Sequence, residues 1–162
     1  PAKQPNALSR ILRFAHGLRH SVPLAFREYY TFSHGLVAAY KAYQEQKQHK
    51  TIFVLFFYFI NSLDELSPGS FGVDEPSPQQ ERLCTQTNNS VCIVPAFMFD
   101  KNGYRLGYGK GYYDRYLSKY EGSTVGVCYN ANLQEKLFSG KYDRAVDLVV
   151  TDKEILTIGE EN

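Results

Sequence analysis

The sequence predicts an α/β fold, Rossmann-like and three-layered, with a mostly parallel sheet carrying helices on both faces. Three observations predict it. Short apolar runs rich in β-branched and aromatic residues alternate with segments of helical periodicity, as in strands joined by crossover helices. A loop of alternate glycines, Gly107, Gly109 and Gly111, lies between one such run and a helical segment, the place where open α/β sheets bind ligands. A chain of 162 residues with 43% hydrophobic content suits one ordinary core rather than two, so residues 1–162 are read as one domain.

The elements follow in chain order. Residues 7–18 have helical periodicity, and residues 22–26 read as a short strand. Residues 32–47 read as a helix with Ser33 near its start. A long apolar strand begins at Thr51. From 63 to 89 the chain is rich in Ser, Pro, Gln, Asn and Asp, and Pro68, Pro76 and Pro78 interrupt regular structure; this is a surface loop. A buried strand runs through residues 91–99, and Asp100-Lys101-Asn102-Gly103 turns the chain. After the glycine loop, Tyr112, Tyr113, Tyr116, Leu117 and Tyr120 recur at helical spacing. A strand at 124–129, a short helix near 133–137 and a strand at 146–150 complete the alternation.

Composition excludes several function classes. A formal net charge of +1 provides no global basic field for nucleic acid or a membrane surface, so anion recognition must be local. The 13 Tyr and 11 Phe read mainly as core and half-buried helix faces. Cys84, Cys92 and Cys128 are odd in number and widely spaced, so they form neither a disulfide framework nor a metal pair; Cys92 and Cys128, in apolar strand-like runs, read as reduced core thiols, as expected in the cytoplasm. His16, His20, His34 and His49 have no Cys or carboxylate cluster around them and read as ordinary surface or packing residues. The longest apolar run, 52–60, is too short for a membrane-spanning helix, and the start of the chain has no signal-peptide hydrophobic region.

The segment from Arg105 to Arg115, RLGYGKGYYDR, gathers glycines, cations and a carboxylate between strand and helix. Alternate glycines let successive N–H groups converge on one anion. They also serve plain tight turns, so the glycines by themselves leave both readings open. No Ser or Thr follows Gly109-Lys110, as a P-loop requires, and the spacing is not that of a dinucleotide fingerprint.

The run over residues 93–120, IVPAFMFDKNGYRLGYGKGYYDRYLSKY, resembles the signature of the 5-formyltetrahydrofolate cyclo-ligases, or methenyltetrahydrofolate synthetases. LSPGSFGVDEP at 66–76 is similar to that family's glycine-to-Glu-Pro turn, and YDRAVD at 142–147 to its late Asp-containing turn. Glu28-Tyr29-Tyr30-Thr31, followed by a strand led by Lys50, resembles its Glu-x-x-Thr turn and Lys-led strand. Residues 1–62 diverge. The distance from Arg10 to Glu28 is too short for the family's basic ATP-binding helix and the elements after it, so Lys3, Arg10 and Arg13 receive no such role. Residues 63–90 then form the surface loop, and 91–156 the nucleotide-loop part.

The resemblance implies an ATP-dependent cyclisation of 5-formyltetrahydrofolate to 5,10-methenyltetrahydrofolate, with release of ADP and phosphate. Arg105 and Lys110 would supply catalytic charge. ATP would lie along Arg105, Leu106, Gly107, Tyr108, Gly109, Lys110, Gly111, Tyr112 and Tyr113. Either Tyr112 or Tyr113 could instead be plain helix core. Glu28 and Tyr112 would bind the folate, and Asp114 and Asp143 would hold Mg2+, although Asp114 also suits a helix-end acid and Asp143 a turn. The expected partners are ATP and 5-formyltetrahydrofolate, with no nucleic acid and no membrane, for a cytoplasmic monomer. A non-catalytic nucleotide- or folate-binding paralogue is the alternative.

Overall fold

The computed structural model describes residues 30–33, 36–47, 50–69, 74–88 and 90–159, with side chains from residue 54 onward. The helix expected over 7–18, the strand expected over 22–26, Glu28 and the histidines lie outside these residues.

Residues 32–47 do not form the expected helix. They contribute to two strands, β1 (Tyr30–Ser33) and β2 (Leu36–Lys47), and the apolar run becomes β3 (Lys50–Ile60). β2 and β3 pair antiparallel from Val37↔Ile60 to Lys47↔Lys50. The reason is tertiary. An apolar strand of 11 residues presents a row of N–H and C=O groups that need partners, and the adjoining segment supplies them by pairing. Helix propensities, which differ by about 0.7 kcal/mol per residue at most among ordinary side chains, are too weak to oppose this.

The 63–89 segment keeps its irregular course but contains a ribbon of β4 (Leu66–Pro68) and β5 (Asp74–Pro76). A 3-10 turn at Leu63–Glu65 starts at Ser62, whose Oγ accepts the Asp64 N–H at 3.3 Å. A second 3-10 turn, Gln80–Arg82, is tied to the first by the Arg82–Glu65 ion pair.

The run expected as one strand over 91–99 is broken. β6 (Val91–Pro95) stops at a residue without an N–H, Phe97 turns to donate to the Leu106 carbonyl at 2.9 Å, and β7 (Met98–Asp100) follows. β7 pairs antiparallel with β8 (Arg105–Leu106), and the glycine loop leads into α1 (Tyr112–Leu117). β9 (Ser123–Val127) comes next. Where a short helix is expected near 133–137, a 3-10 turn at Asn130–Asn132 leads into β10 (Leu133–Gln134), which lies parallel to β7. β11 (Leu148–Val150) is followed by β12 (Ile155–Thr157), an additional edge strand.

The large sheet has the order β12-β11-β9-β6-β1-β2-β3. Its neighbours β6, β9 and β11 are parallel, whereas the other four pairs are antiparallel. The sheet is therefore mixed, with a parallel centre, rather than mostly parallel. Among the described residues α1 is the α-helix, so helical layers on both faces are not seen there. The architecture is mixed α/β and rich in sheet.

The parallel centre is buried on both faces, as crossover-connected strands require. Cys92, Val94, Val125, Val149 and Val150 are fully enclosed. α1 covers this core near β3, with the Tyr116 and Phe57 ring centroids 4.6 Å apart. The fold thus delivers the glycine loop just beyond the C-terminal end of its central strand, β6.

Candidate functional site

The site begins with a turn. Asp100 is fully buried, and its Oδ1 accepts the N–H groups of Asn102 at 3.0 Å and Tyr104 at 2.9 Å. The Gly103 N–H returns to the Asp100 carbonyl at 3.0 Å. This closes the β7–β8 hairpin and brings Arg105 beneath the loop that follows.

Arg105 is firmly anchored. Its side chain is 8% exposed; Nη2 donates to Asp114 Oδ1 at 2.7 Å and Nη1 to the Arg144 carbonyl at 2.8 Å. The Arg144 N–H donates to the same Asp114 Oδ1 at 3.2 Å. The guanidinium carbon also lies 5.8 Å from the centroid of the Tyr113 ring, within cation–π range. One carboxylate oxygen therefore joins the glycine-loop strand, α1 and the 143–144 turn.

Beyond Arg105 the chain opens. Leu106 is half exposed, and Tyr108 is 85% exposed with its ring edge-on to Phe97 at 4.7 Å. Gly109 has φ 71° and Gly111 φ 66°, so the expected left-handed glycine geometry is present at both. Lys110 lies at the exposed tip, and its carbonyl accepts from the Arg115 guanidinium. Backbone N–H groups in such a loop are available to an anion without displacing a side chain.

Tyr112 and Tyr113 begin α1 and are partly buried against the core. Burial raises the Tyr112 phenol above its ordinary range, and the buried Glu75 carboxylate raises it further, against a lowering by Arg115. Burial likewise pushes the Tyr116 and Tyr120 phenols up and takes the Cys128 thiol to about 11. These groups are neutral packing elements near pH 7.

Asp143 is exposed, and its Oδ2 accepts the Gly140 N–H at 2.7 Å, a local turn bond. Its neighbour Arg144 makes the bond to Asp114, through its backbone N–H. The structure therefore brings Arg105, Asp114 and the 143–144 turn together, and leaves Lys110 and Tyr108 at the open rim. Glu28 lies outside the described residues. Sequence reasoning misses Asp100, Glu75 and Arg144. An Asp opening an Asn-Gly turn is a recognisable signal for Asp100; Arg144 acts through its backbone and has no such signal.

Among the described residues no group of three or more His, Cys, Asp or Glu is placed to hold a metal ion. No helix among these residues is long and apolar enough to cross a membrane.

The sequence pattern of the 5-formyltetrahydrofolate cyclo-ligase family matches residues 42–152, a span that includes β3, the glycine loop and the 143–144 turn. The chain belongs to this family. It is 28% identical over 107 residues to a probable 5-formyltetrahydrofolate cyclo-ligase of Schizosaccharomyces pombe, covering 57% of this chain and 52% of that one. It is 32% identical over 117 residues to the 5-formyltetrahydrofolate cyclo-ligase of Mycoplasma pneumoniae, covering 68% and 71%. The solution NMR structure of Aquifex aeolicus 5,10-methenyltetrahydrofolate synthetase aligns with a TM-score of 0.56 at 28% identity, over 90% of this chain and 66% of that one. The chain thus spans 52% of the fission-yeast relative and 66% of the Aquifex protein.

Proposed function

We propose that this chain uses ATP to close the N5-formyl group of 5-formyltetrahydrofolate onto N10, giving 5,10-methenyltetrahydrofolate, ADP and phosphate. The observation that carries the reading is the family match over 42–152, which includes the anchored Arg105–Asp114–Arg144 cluster and the open glycine loop beside it.

The formyl carbonyl is amide-like and a poor electrophile, so its oxygen must become a leaving group. The formyl oxygen attacks the γ-phosphorus of ATP and ADP departs with the bond electrons. N10 then attacks the activated formyl carbon, the C–O bond breaks to release phosphate, and the N10 proton passes to solvent. Nearly all the catalysis is placement and charge. The N–H groups around Gly107, Gly109 and Gly111 receive phosphate oxygens, with Leu106 and Tyr108 at the loop's entrance and Tyr112 and Tyr113 behind it. Lys110, at the exposed tip, follows the charge on the transferring group. Arg105 keeps Asp114 and the 143–144 turn in register and adds positive field from below. Tyr112, with Glu28, contacts the folate.

Mg2+ bound with ATP would neutralise phosphate charge. The residues fit it: both hydrogen bonds to the Asp114 carboxylate fall on Oδ1, leaving Oδ2 outside them, and Asp143 is exposed. Cys84, Cys92 and Cys128 are all buried in the core, which suits reduced thiols in a cytoplasmic setting.

The test is ADP release and methenyl absorbance on mixing the protein with MgATP and 5-formyltetrahydrofolate. Both signals should require both substrates. Asp114→Asn and Asp143→Asn should each raise the Mg2+ needed for half-maximal rate, and the double variant should add less than their sum, because both act on one ion. ADP release that ignores the folate would sink the reading.

A further inference from the structure

The hairpin and the 137–144 segment come from distant parts of the chain, yet one buried carboxylate serves both. Asp100 is 0% exposed. Its Oδ1 takes the Asn102 and Tyr104 N–H groups of the hairpin, and its Oδ2 takes the Leu137 N–H at 2.8 Å. Further bonds run alongside: the Lys101 N–H to the Gln134 carbonyl at 3.1 Å, and the Val146 N–H to the Gly103 carbonyl at 3.0 Å. Residues 137–144 are therefore held at their start by Asp100 and just beyond their end by Gly103. Arg105 meets the Arg144 carbonyl between these anchors and the glycine loop.

We propose that Asp100 is a positioning residue of this site, its two carboxylate oxygens setting the Arg105 hairpin and the Asp143–Arg144 turn in mutual register. The role rests on the cyclo-ligase reading, because the turn it places carries one of the two Asp candidates for Mg2+. A carboxylate is required by the donor pattern. Three N–H groups converge on it from two sides, and an amide at the same position would offer an oxygen on one side and a competing donor on the other.

Asp100→Asn keeps the volume and can retain the Oδ1 bonds while placing its NH2 against the Leu137 N–H. Amide hydrogen exchange should then quicken about 100-fold at Leu137, with Asn102 and Tyr104 changing far less. In the same protein kcat should fall about tenfold or more, the KM for ATP should stay within about twofold, and the half-saturating Mg2+ should rise, because the turn moves while the glycine loop stays. Leu137→Pro removes the same hydrogen bond from the other side, in an irregular segment outside the strands, and keeps the test decisive if Asp100→Asn fails to fold. It should reproduce the kcat loss and the Mg2+ shift.

Unchanged exchange at Leu137 in Asp100→Asn would overturn the proposal. So would faster exchange with unchanged kcat and Mg2+ dependence, since Asp100 would then serve the fold alone. Absence of turnover in the unmodified protein is a different failure: it overturns the cyclo-ligase reading, and with it this role, whatever the exchange shows.

Discussion

The two ends of the segment from Asp100 to Gly111 are built in opposite ways. From Asp100 to Arg105 the chain is tied down by specific bonds: three N–H groups on the Asp100 carboxylate, the Val146 N–H on the Gly103 carbonyl, and Asp114 and Arg144 on the Arg105 guanidinium. From Leu106 to Lys110 every residue is exposed. A Cβ added at Gly107 or Gly109 would meet nothing within 4 Å, whereas at Gly103 it would lie 2.7 Å from the Val146 carbonyl oxygen. The phosphate-binding role proposed for the loop needs this division. Charge has to be held in place before the substrate arrives, because reorganising it during reaction raises the barrier, while the backbone that wraps the phosphates has to admit and release them.

The largest effect should come from breaking the fixed end at Arg105. Arg105→Ala removes the ion-pair partner of the partly buried Asp114 carboxylate and the link to the Arg144 carbonyl together. Turnover should fall about a thousandfold, ~4 kcal/mol in transition-state terms. Arg105→Lys should recover little, because an ammonium cannot fork between a carboxylate and a carbonyl as a guanidinium does. Steady-state kcat/KM for both variants checks this, and a lysine variant close to wild type would reduce Arg105 to a point charge.

Gly103→Ala attacks the same end through the backbone. Its φ of 80° and the 2.7 Å approach to the Val146 oxygen act together, so unfolding free energy should drop by about 3 kcal/mol. For a chain of this size that is a Tm lower by roughly 10 °C. Thermal denaturation measures it, and a shift under about 2 °C would mean the hairpin is not locked as described.

This contrast is only partly legible in the sequence. β3, β6, β9, β11 and α1 are readable because each is an apolar run or a helical repeat with turn residues at its ends. β1 and β2 are not, since pairing along β3 decides them and local preference does not. At the site, Arg105, Gly109, Gly111 and Asp114 stand out by type and spacing. That Arg105 and Asp114 are partners depends on the path of the intervening loop, which no spacing rule specifies. The bond from Asp100 to Leu137 joins residues 37 apart, and Arg144 contributes a carbonyl and an N–H that any residue could supply. Long-range backbone contacts of this kind leave no mark on side-chain identity.

At the open end, Lys110→Ala should leave stability within about 0.5 kcal/mol, as usual for an exposed side chain. It should still lower kcat/KM by about 2–3 kcal/mol in transition-state terms if its ammonium follows the transferring phosphoryl group. Comparing Tm with kcat/KM separates the two quantities. Equal losses in both would place Lys110 in the fold rather than in the reaction.

Two neighbouring glycines at the same end separate backbone strain from ligand contact. Gly109 has φ +71°, so Gly109→Ala is strained despite the open space, and about 1–2 kcal/mol of stability should be lost. Gly107 has neither positive φ nor a close neighbour, so Gly107→Ala should change unfolding free energy by less than about 0.5 kcal/mol. On the proposed reading, any large loss of ATP affinity in that variant comes from the ligand, whose phosphate would meet the new methyl instead of bare backbone. Calorimetric ATP binding beside a melting curve reads both terms. If Gly107→Ala melts and binds ATP like the unaltered protein, the phosphate contact shifts toward Gly109 and Gly111, and the open region is shorter than its exposure implies.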